Sequence, residues 1–423
     1  MADFVFEQLN PERLSDVTAT IDQQTMAVAR EIVDSVKRDG ESAIRKFREQ
    51  FEAVAVDERL IMGRDELNSI AEQVDSEVIE LLERTRRRIE RFAEAQKQAT
   101  ADCQLDIPGG TASHRWLPLK MAGCYAPGGR YPLPSSVLMT AVTARVAGVA
   151  KVWVASPCPD LTTIAAASVA GADGILAVGG AQAIAGFAYG IEGLLPPAEV
   201  IVGPGNRFVT AAKAIVSSHT RIDMLAGPSE LVVVAGADAD PVLVAADLLS
   251  QAEHDPDAKP ILIGLADSII DQVKTELNKQ LEDLPTSKIA GQALASGGYL
   301  LADSVEQAMD YCEQIAPEHL SLQGQELQRS ADEFTSGAAM FVGGMSAEVF
   351  GDYGAGPNHV LPTGGAARSQ SPLSVLSFMR MQTRLEFQDR RDAQSIIDDA
   401  ASLARLEGLE GHARSAEFRN TNC

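Results

Sequence analysis

The 423-residue chain has no surplus of basic charge. Its 36 Lys and Arg stand against 59 Asp and Glu, a formal charge of −23. A phosphate-backbone partner needs a basic surface, so nucleic acid is excluded. Long apolar runs are absent too. No window reaches the roughly 18 uninterrupted apolar residues of a membrane span, and the richest stretch, 137–154, is broken by Arg145 and Lys151. The start, Met1-Ala2-Asp3-Phe4, lacks a basic-then-apolar signal, so a cytoplasmic location is expected. Cysteines are few and unpaired in spacing. Cys103, Cys124, Cys158, Cys312 and Cys423 form neither a zinc knuckle nor a redox motif and read as reduced thiols, mostly buried. No Gly-x-Gly-x-x-Gly fingerprint and no Gly-x-x-x-x-Gly-Lys loop occurs, so the glycine-rich turns that are present are weak pointers to a nucleotide.

What is present is a soluble α/β pattern. Hydrophobic content is 45%, with 34 Gly and 20 Pro, and the length exceeds one core, so two main domains are expected. Residues 27–47 and 76–98 have helical spacing, the second with a stripe of Arg84, Arg86, Arg87, Arg88 and Arg91 expected to pair with neighbouring Glu on an exposed face. Residues 103–119 read as short strands turning at Gly109-Gly110. From Lys120, strand, Gly-rich turn and helix repeat: 123–130 is a Gly-rich loop, 135–147 a helix, 152–155 a strand, 161–170 a helix, 175–178 a strand, and 200–202 a strand before Gly203-Pro204-Gly205-Asn206. That alternation marks a parallel, doubly wound sheet with ligands expected outside its carboxyl edge. A second set of alternations follows (231–235, 260–264, 268–281, 299–301, 305–315, 338–342), which suggests a second α/β domain interrupted by the first.

Three places carry polar groups that such a scaffold does not need for packing. A largely apolar helix after Asp240-Pro241 ends in Ser250-Gln251-Ala252-Glu253-His254. Gln251 and His254 share a face there, beside the partial negative charge of the helix end. The residues alone leave two readings open, a metal site or a solvated helix end. Glu318-His319, after Ala316-Pro317, puts two titratable groups at a helix end, one able to take a proton and the other to activate water. The loop 351–365 is long and rich in Gly and Pro, holds Asp352 and His359, and ordered loops of that length usually carry function. The segment after Phe378 reads as helical and charged, includes Glu407 and His412, and has little core of its own, so docking on a second subunit is expected.

Several of these stretches together resemble the histidinol dehydrogenase family: Ile222-Asp223, Ala226-Gly227-Pro228-Ser229-Glu230, Ser250 to His254, Pro127-Gly128-Gly129, Gly180-Ala181-Gln182-Ala183, Gly203-Pro204-Gly205-Asn206, Pro317-Glu318-His319, Gly351-Asp352-Tyr353, Asn358-His359-Val360-Leu361-Pro362-Thr363, and Glu407 with His412. The resemblance implies a fold of two incomplete Rossmann-like doubly wound domains, one inserted in the other, with a helical N-terminal segment and a C-terminal tail exchanged in a homodimer. The corresponding division is 1–21, then 22–123 with 231–376 as the main domain, 124–230 inserted, and 377–423 as the tail. It implies oxidation of L-histidinol to L-histidine through histidinal with two NAD and one zinc per site. The implied zinc ligands are Gln251, His254, Asp352 and, from the other subunit, His412. Glu318 and His319 match the catalytic pair, with His319 as base and Glu318 activating water. Ser229, His359 and Glu407 match substrate contacts, together with Gln251, His254, His319, Asp352 and His412. Tyr125, Gln182 and Asn206 match cofactor contacts. Arg130 follows Gly128-Gly129, as similar arginines do in relatives that oxidise other small alcohols, sulfonated diols among them; an Arg beside the cofactor loop could bind an anionic substrate group or an NAD phosphate. The alternatives are therefore such a paralogue or a non-catalytic one. Cys124, beside Tyr125, is the one thiol placed to trap an aldehyde, with nothing nearby to activate it.

Overall fold

A computed structural model of the chain describes residues 6–17, 21–52, 55, 58–128 and 132–420; Arg130 and Cys423 lie outside them. Two parallel sheets organise the molecule. In the first, strands run in the order Ile61–Gly63, Gly174–Leu176, Lys151–Ala155, Met121–Tyr125, Val200–Val202, Arg221–Ile222, all parallel except the first. In the second the order is Gly298–Leu301, Lys259–Gly264, Glu230–Ala235, His319–Gln323, Ala339–Val342, parallel throughout. The parallel strands of both sheets start in the middle, extend to one side, then cross back to the other. Each therefore has a switch point beside its first parallel strand, Met121–Tyr125 in one and Glu230–Ala235 in the other. The apolar runs that announce these strands are buried on both faces, as parallel strands between helices must be.

Two apolar cores flank the first sheet. Leu82, Ile89, Val137, Val142 and Ile164 pack on one face. On the other, Ala29, Val33, Ile44 and Phe47 pack with Ile184 and Phe187. Helices Gln23–Asp39, Glu41–Glu52 and Ser76–Gln98 thus pack on the first sheet. Only the short segment around Phe6 and Leu14 packs on the second sheet, where Leu9 N–H donates to the Tyr299 carbonyl at 2.8 Å. The apolar stripe on each early helix matches the near sheet.

Four local expectations change. The helix expected over 27–47 is two helices, broken at Gly40, whose φ of +58° no L-residue adopts cheaply. Arg84 and Arg86 pair with Glu80, Glu83 and Glu90 as expected, but Arg88 Nε donates to the Gly354 carbonyl at 2.7 Å and so holds the functional loop. The segment after Phe378 opens as strand Met379–Phe387, antiparallel to Gly110–Pro118, before helices Gln394–Leu406 and Glu410–Glu417. Of the thiols, Cys124 and Cys312 are buried while Cys103 and Cys158 are exposed, so "mostly buried" does not hold. Among the described residues no helix is long and apolar enough to cross a membrane.

Candidate active site

The amino edge of the second sheet, not its carboxyl edge, gathers the polar residues. Strands Glu230–Ala235 and His319–Gln323 lie side by side with His319 opposite Leu231, so Glu230 sits against Glu318 and His319. One peptide unit pair holds both: the Glu230 N–H donates to Glu318 Oε2 at 2.9 Å, and the Glu230 carbonyl lies 3.0 Å from His319 Nδ1. A carbonyl only accepts, so Nδ1 carries the proton and Nε2 keeps its lone pair. That Nε2 is buried and has no hydrogen-bond partner. It lies 3.8 Å from both Glu348 Oε1 and Asp352 Oδ1. Glu318 and His319 therefore open a strand rather than end a helix. Ala316, at φ +47°, stops the preceding helix, and Pro317 sends the chain into the sheet.

Helix Pro241–Ala252 is capped by Asp240, whose side chain accepts from Val242 N–H at 2.9 Å, and it runs back to the same edge. There Gln251 is buried with its Oε1 unpartnered, and His254 Nε2 stands 3.6 Å from Asp352 Oδ2. Asp352 and Glu348 are on the one-turn helix Glu348–Asp352. His254, Glu348 and Asp352 each offer an atom within 4.8 Å of the others. Glu348, fully buried, accepts from Ser250 Oγ at 3.3 Å through Oε2, and its Oε1 is orphaned. Sequence reasoning passed over Glu348 and gave Glu230 no role of its own. For Glu348 a signal existed, since it stands four residues before Asp352 and any helical turn brings the two together. For Glu230 the signal was its place at the end of the motif Ala226-Gly227-Pro228-Ser229-Glu230.

Electrostatics sharpen the arrangement. Burial raises Glu318 well above the usual carboxylate range and pushes Glu230 up to about 7. Burial and the neighbouring Asp352 raise Glu348. His319 and His359 are lowered by burial, so both favour the neutral base form. Buried acids, neutral imidazoles and orphaned oxygens around one spot make a donor set suited to a cation.

The loop 351–365 reaches the other domain. His359 Nδ1 lies 2.9 Å from the Asp352 carbonyl, and its Nε2 is 3.4 Å from Ser136 Oγ, at the start of helix Pro134–Ala147. Gly227 N–H donates to Thr363 Oγ1. The carboxyl edge of the first sheet thus meets the amino edge of the second. Ser229 is half-buried, immediately before Glu230. Glu407 and His412 are exposed on the tail helices, which pack chiefly on each other; within one chain they do not join the cluster.

At the first sheet's switch point, Tyr125, Gln182 and Asn206 line one cavity of about 610 Å³. The Tyr125 hydroxyl accepts from Gly180 N–H at 3.0 Å, and Asn206 caps helix Arg207–Val216 through Phe208 and Val209 N–H. The Cys124 thiol is fully buried and pushed up to about 12 by burial, which removes it as a nucleophile.

Two doubly wound sheets joined through the loop 351–365, with a neutral buried base at the amino edge of one and a cavity at the switch point of the other, fit an α/β oxidoreductase. A family profile described as Histidinol dehydrogenase matches residues 16–420. The chain is 40% identical over 402 residues to the histidinol dehydrogenase of Thermus thermophilus, covering 95% of this chain and 96% of that one. With that of Haloarcula marismortui it shares 41% over 395 residues, 92% of each. The crystal structure of histidinol dehydrogenase from Elizabethkingia anophelis superposes with a TM-score of 0.91 at 30% identity, covering 99% of both chains. The chain belongs to the histidinol dehydrogenase family.

Proposed function

We propose that this protein oxidises L-histidinol to L-histidine through L-histidinal, a four-electron reaction using two NAD at one zinc-dependent site, in histidine biosynthesis. The observation that carries the reading is His319: its Nδ1 is tied to the Glu230 carbonyl and its unpartnered Nε2 faces the cluster of Asp352 and Glu348. A base so fixed is ready to take the carbinol proton. Glu318, beside it and raised by burial, is suited to exchange a proton with the water that adds to the aldehyde.

The donor set fits a zinc ion. Gln251, His254 and Asp352 would hold it, with His412 supplied by a second copy of the chain; Glu348 adds a carboxylate the sequence did not suggest. Zinc supplies a Lewis acid able to hold the amino and imidazole groups of the substrate, and NAD accepts the hydrides. Ser229, His359 and Glu407 would complete the substrate pocket, the carboxylates suiting a cationic substrate. Tyr125, Gln182 and Asn206 would hold the nicotinamide cofactor in an incomplete Rossmann-like domain. The acidic, carboxylate-lined site favours histidinol over an anionic diol.

A homodimer with exchanged tails accounts for Glu407 and His412 standing apart from the other site residues. NADH production per histidinol consumed tests the function. Two per substrate is expected; one would remove the four-electron reading, and none with histidinol but turnover of a sulfonated diol would move the protein to the paralogue class.

A further inference from the structure

The cavity around Tyr125 has two charged side chains in its lining, Glu52 and Asp160, and the catalytic reading uses neither. Glu52, the last residue of helix Glu41–Glu52, comes from an element outside the sheet and lines the cavity. Its Oε1 accepts from Gly179 N–H and from Gln182 Nε2, each at 3.0 Å. Those donors belong to the amino end of helix Gly180–Tyr189, with Gly179 as its N-cap. Such an end favours an anion through its free N–H groups and its dipole. Here the anion is a protein carboxylate, and the neighbouring Gly180 N–H is taken by the Tyr125 hydroxyl. Glu52 Oε2 remains buried and without a hydrogen-bond partner. The other charged side chain lining the cavity is Asp160, and no Lys or Arg lines it among the described residues.

We infer that Glu52 is a specificity-determining residue that makes this cavity select NAD over NADP, by filling with its own charge the helix-end anion position that the extra phosphate of NADP would otherwise take. The inference rests on the reading of this cavity as the dinucleotide site. A carboxylate disfavours a phosphate in the same place, because like charges brought together out of water repel strongly. Glu52 also orients Gln182, so its removal affects NAD binding as well as the discrimination. The ratio between the two nucleotides, and not the loss of either, is the signature of the specificity role.

The test uses the full-length zinc-loaded enzyme and two readouts: fluorescence titration with NADH and NADPH, and kcat/KM with histidinol and NAD or NADP. The wild type should bind NADH much more tightly than NADPH. Glu52→Gln keeps the shape and an acceptor oxygen while removing the charge, and should raise the NADPH-to-NADH affinity ratio about tenfold. Glu52→Ala also frees the Gly179 N–H and should raise it further, in both binding and turnover. A wild type that binds NADH well while both variants keep its discrimination would overturn the role of Glu52 and leave the cavity assignment intact. A wild type that binds neither nucleotide would overturn the assignment of the cavity itself. If Glu52→Ala fails to fold, Glu52→Gln alone decides.

Discussion

Lys213 and Asp223 form an ion pair closed to solvent, with only 2% and 1% of their side chains exposed, and both serve the same glycine. Lys213 Nζ donates to the Gly203 carbonyl at 3.0 Å, while Gly203 N–H donates to Asp223 Oδ2 at 2.7 Å. Gly203, at φ +113°, lies against the Tyr125 backbone with no room for a Cβ. The pair therefore fixes the turn that leads to Asn206 beside the cavity. Lys213→Met leaves a buried carboxylate without its counter-ion and should cost about 3–5 kcal/mol. Adding Asp223→Asn should recover part of that loss, because the uncompensated charge is gone. Denaturant unfolding of the wild type, both single variants and the double variant measures the coupling; additive losses would refute the pairing argument.

His319 and His412 have different work in the proposed site, and their variants should fail differently. His319→Ala removes the base while leaving the donors at Gln251, His254 and Asp352. It should retain zinc and lose about a hundredfold or more in kcat. His412→Ala should lose zinc first, and activity with it. Metal analysis beside steady-state rates separates the two, and zinc loss in His319→Ala would place His319 among the ligands.

Asp247, one helical turn before Gln251, offers a pH test on a group that is not itself a proposed metal donor. It is buried in helix Pro241–Ala252, accepts from Gln323 Nε2 at 2.7 Å, and is pushed up to about 6 by burial. A carboxyl raised in the folded state binds protons more tightly there than in the unfolded chain, so its contribution to stability falls as pH rises through about 4 to 6. Above that window the fold carries the cost of an ionised buried group. Asp247→Asn should stabilise the protein by on the order of 2 kcal/mol at pH 8, and make no gain at pH 4. Melting temperatures at the two pH values check it; equal gains at both would show that charge is not the cause.

Much of this architecture was legible because parallel strands announce themselves. The runs 231–235 and 200–202 are apolar and bounded by turn residues, and each stands where expected. The strand Met379–Phe387 was missed although Met379, Met381, Leu385 and Phe387 alternate with Arg380, Gln382, Arg384 and Glu386 at the period of a strand; its partner, Gly110–Pro118, is a long-range one that no local window contains. Gln251 with His254 was visible as an odd helix end. That the same end meets Asp352, and that Glu318 and His319 enter from a neighbouring strand, depends on where separate elements return to the sheet edge. The family resemblance supplied that grouping for Asp352. It did not supply Glu348, which only the folded turn brings to His254.

The tail gives the strongest test of shared sites. Leu406 is 84% exposed, with Leu403, Leu409 and Phe418 exposed beside it, and Met345 is 86% exposed with Phe350 and Tyr353 also bare near the donor cluster. Large apolar side chains left open in two places suit mutual burial between copies. If the tail of one copy completes the site of the other, a chain carrying His319→Ala still donates a sound His412, and a chain carrying His412→Ala still holds a sound His319. Neither homodimer should work. In a heterodimer, one site carries both lesions and the other carries none. Unfolding the two inactive variants together and refolding them at equal concentration makes half the dimers mixed, each with one intact site of two. Activity should therefore return to about a quarter of wild type. Leu406→Asp, which opposes burial of the tail, should lower the mass seen by sedimentation and cost zinc as well as turnover. Recovery of no activity from the mixed refolding, with each variant shown to refold alone, would mean that each site is built from one chain.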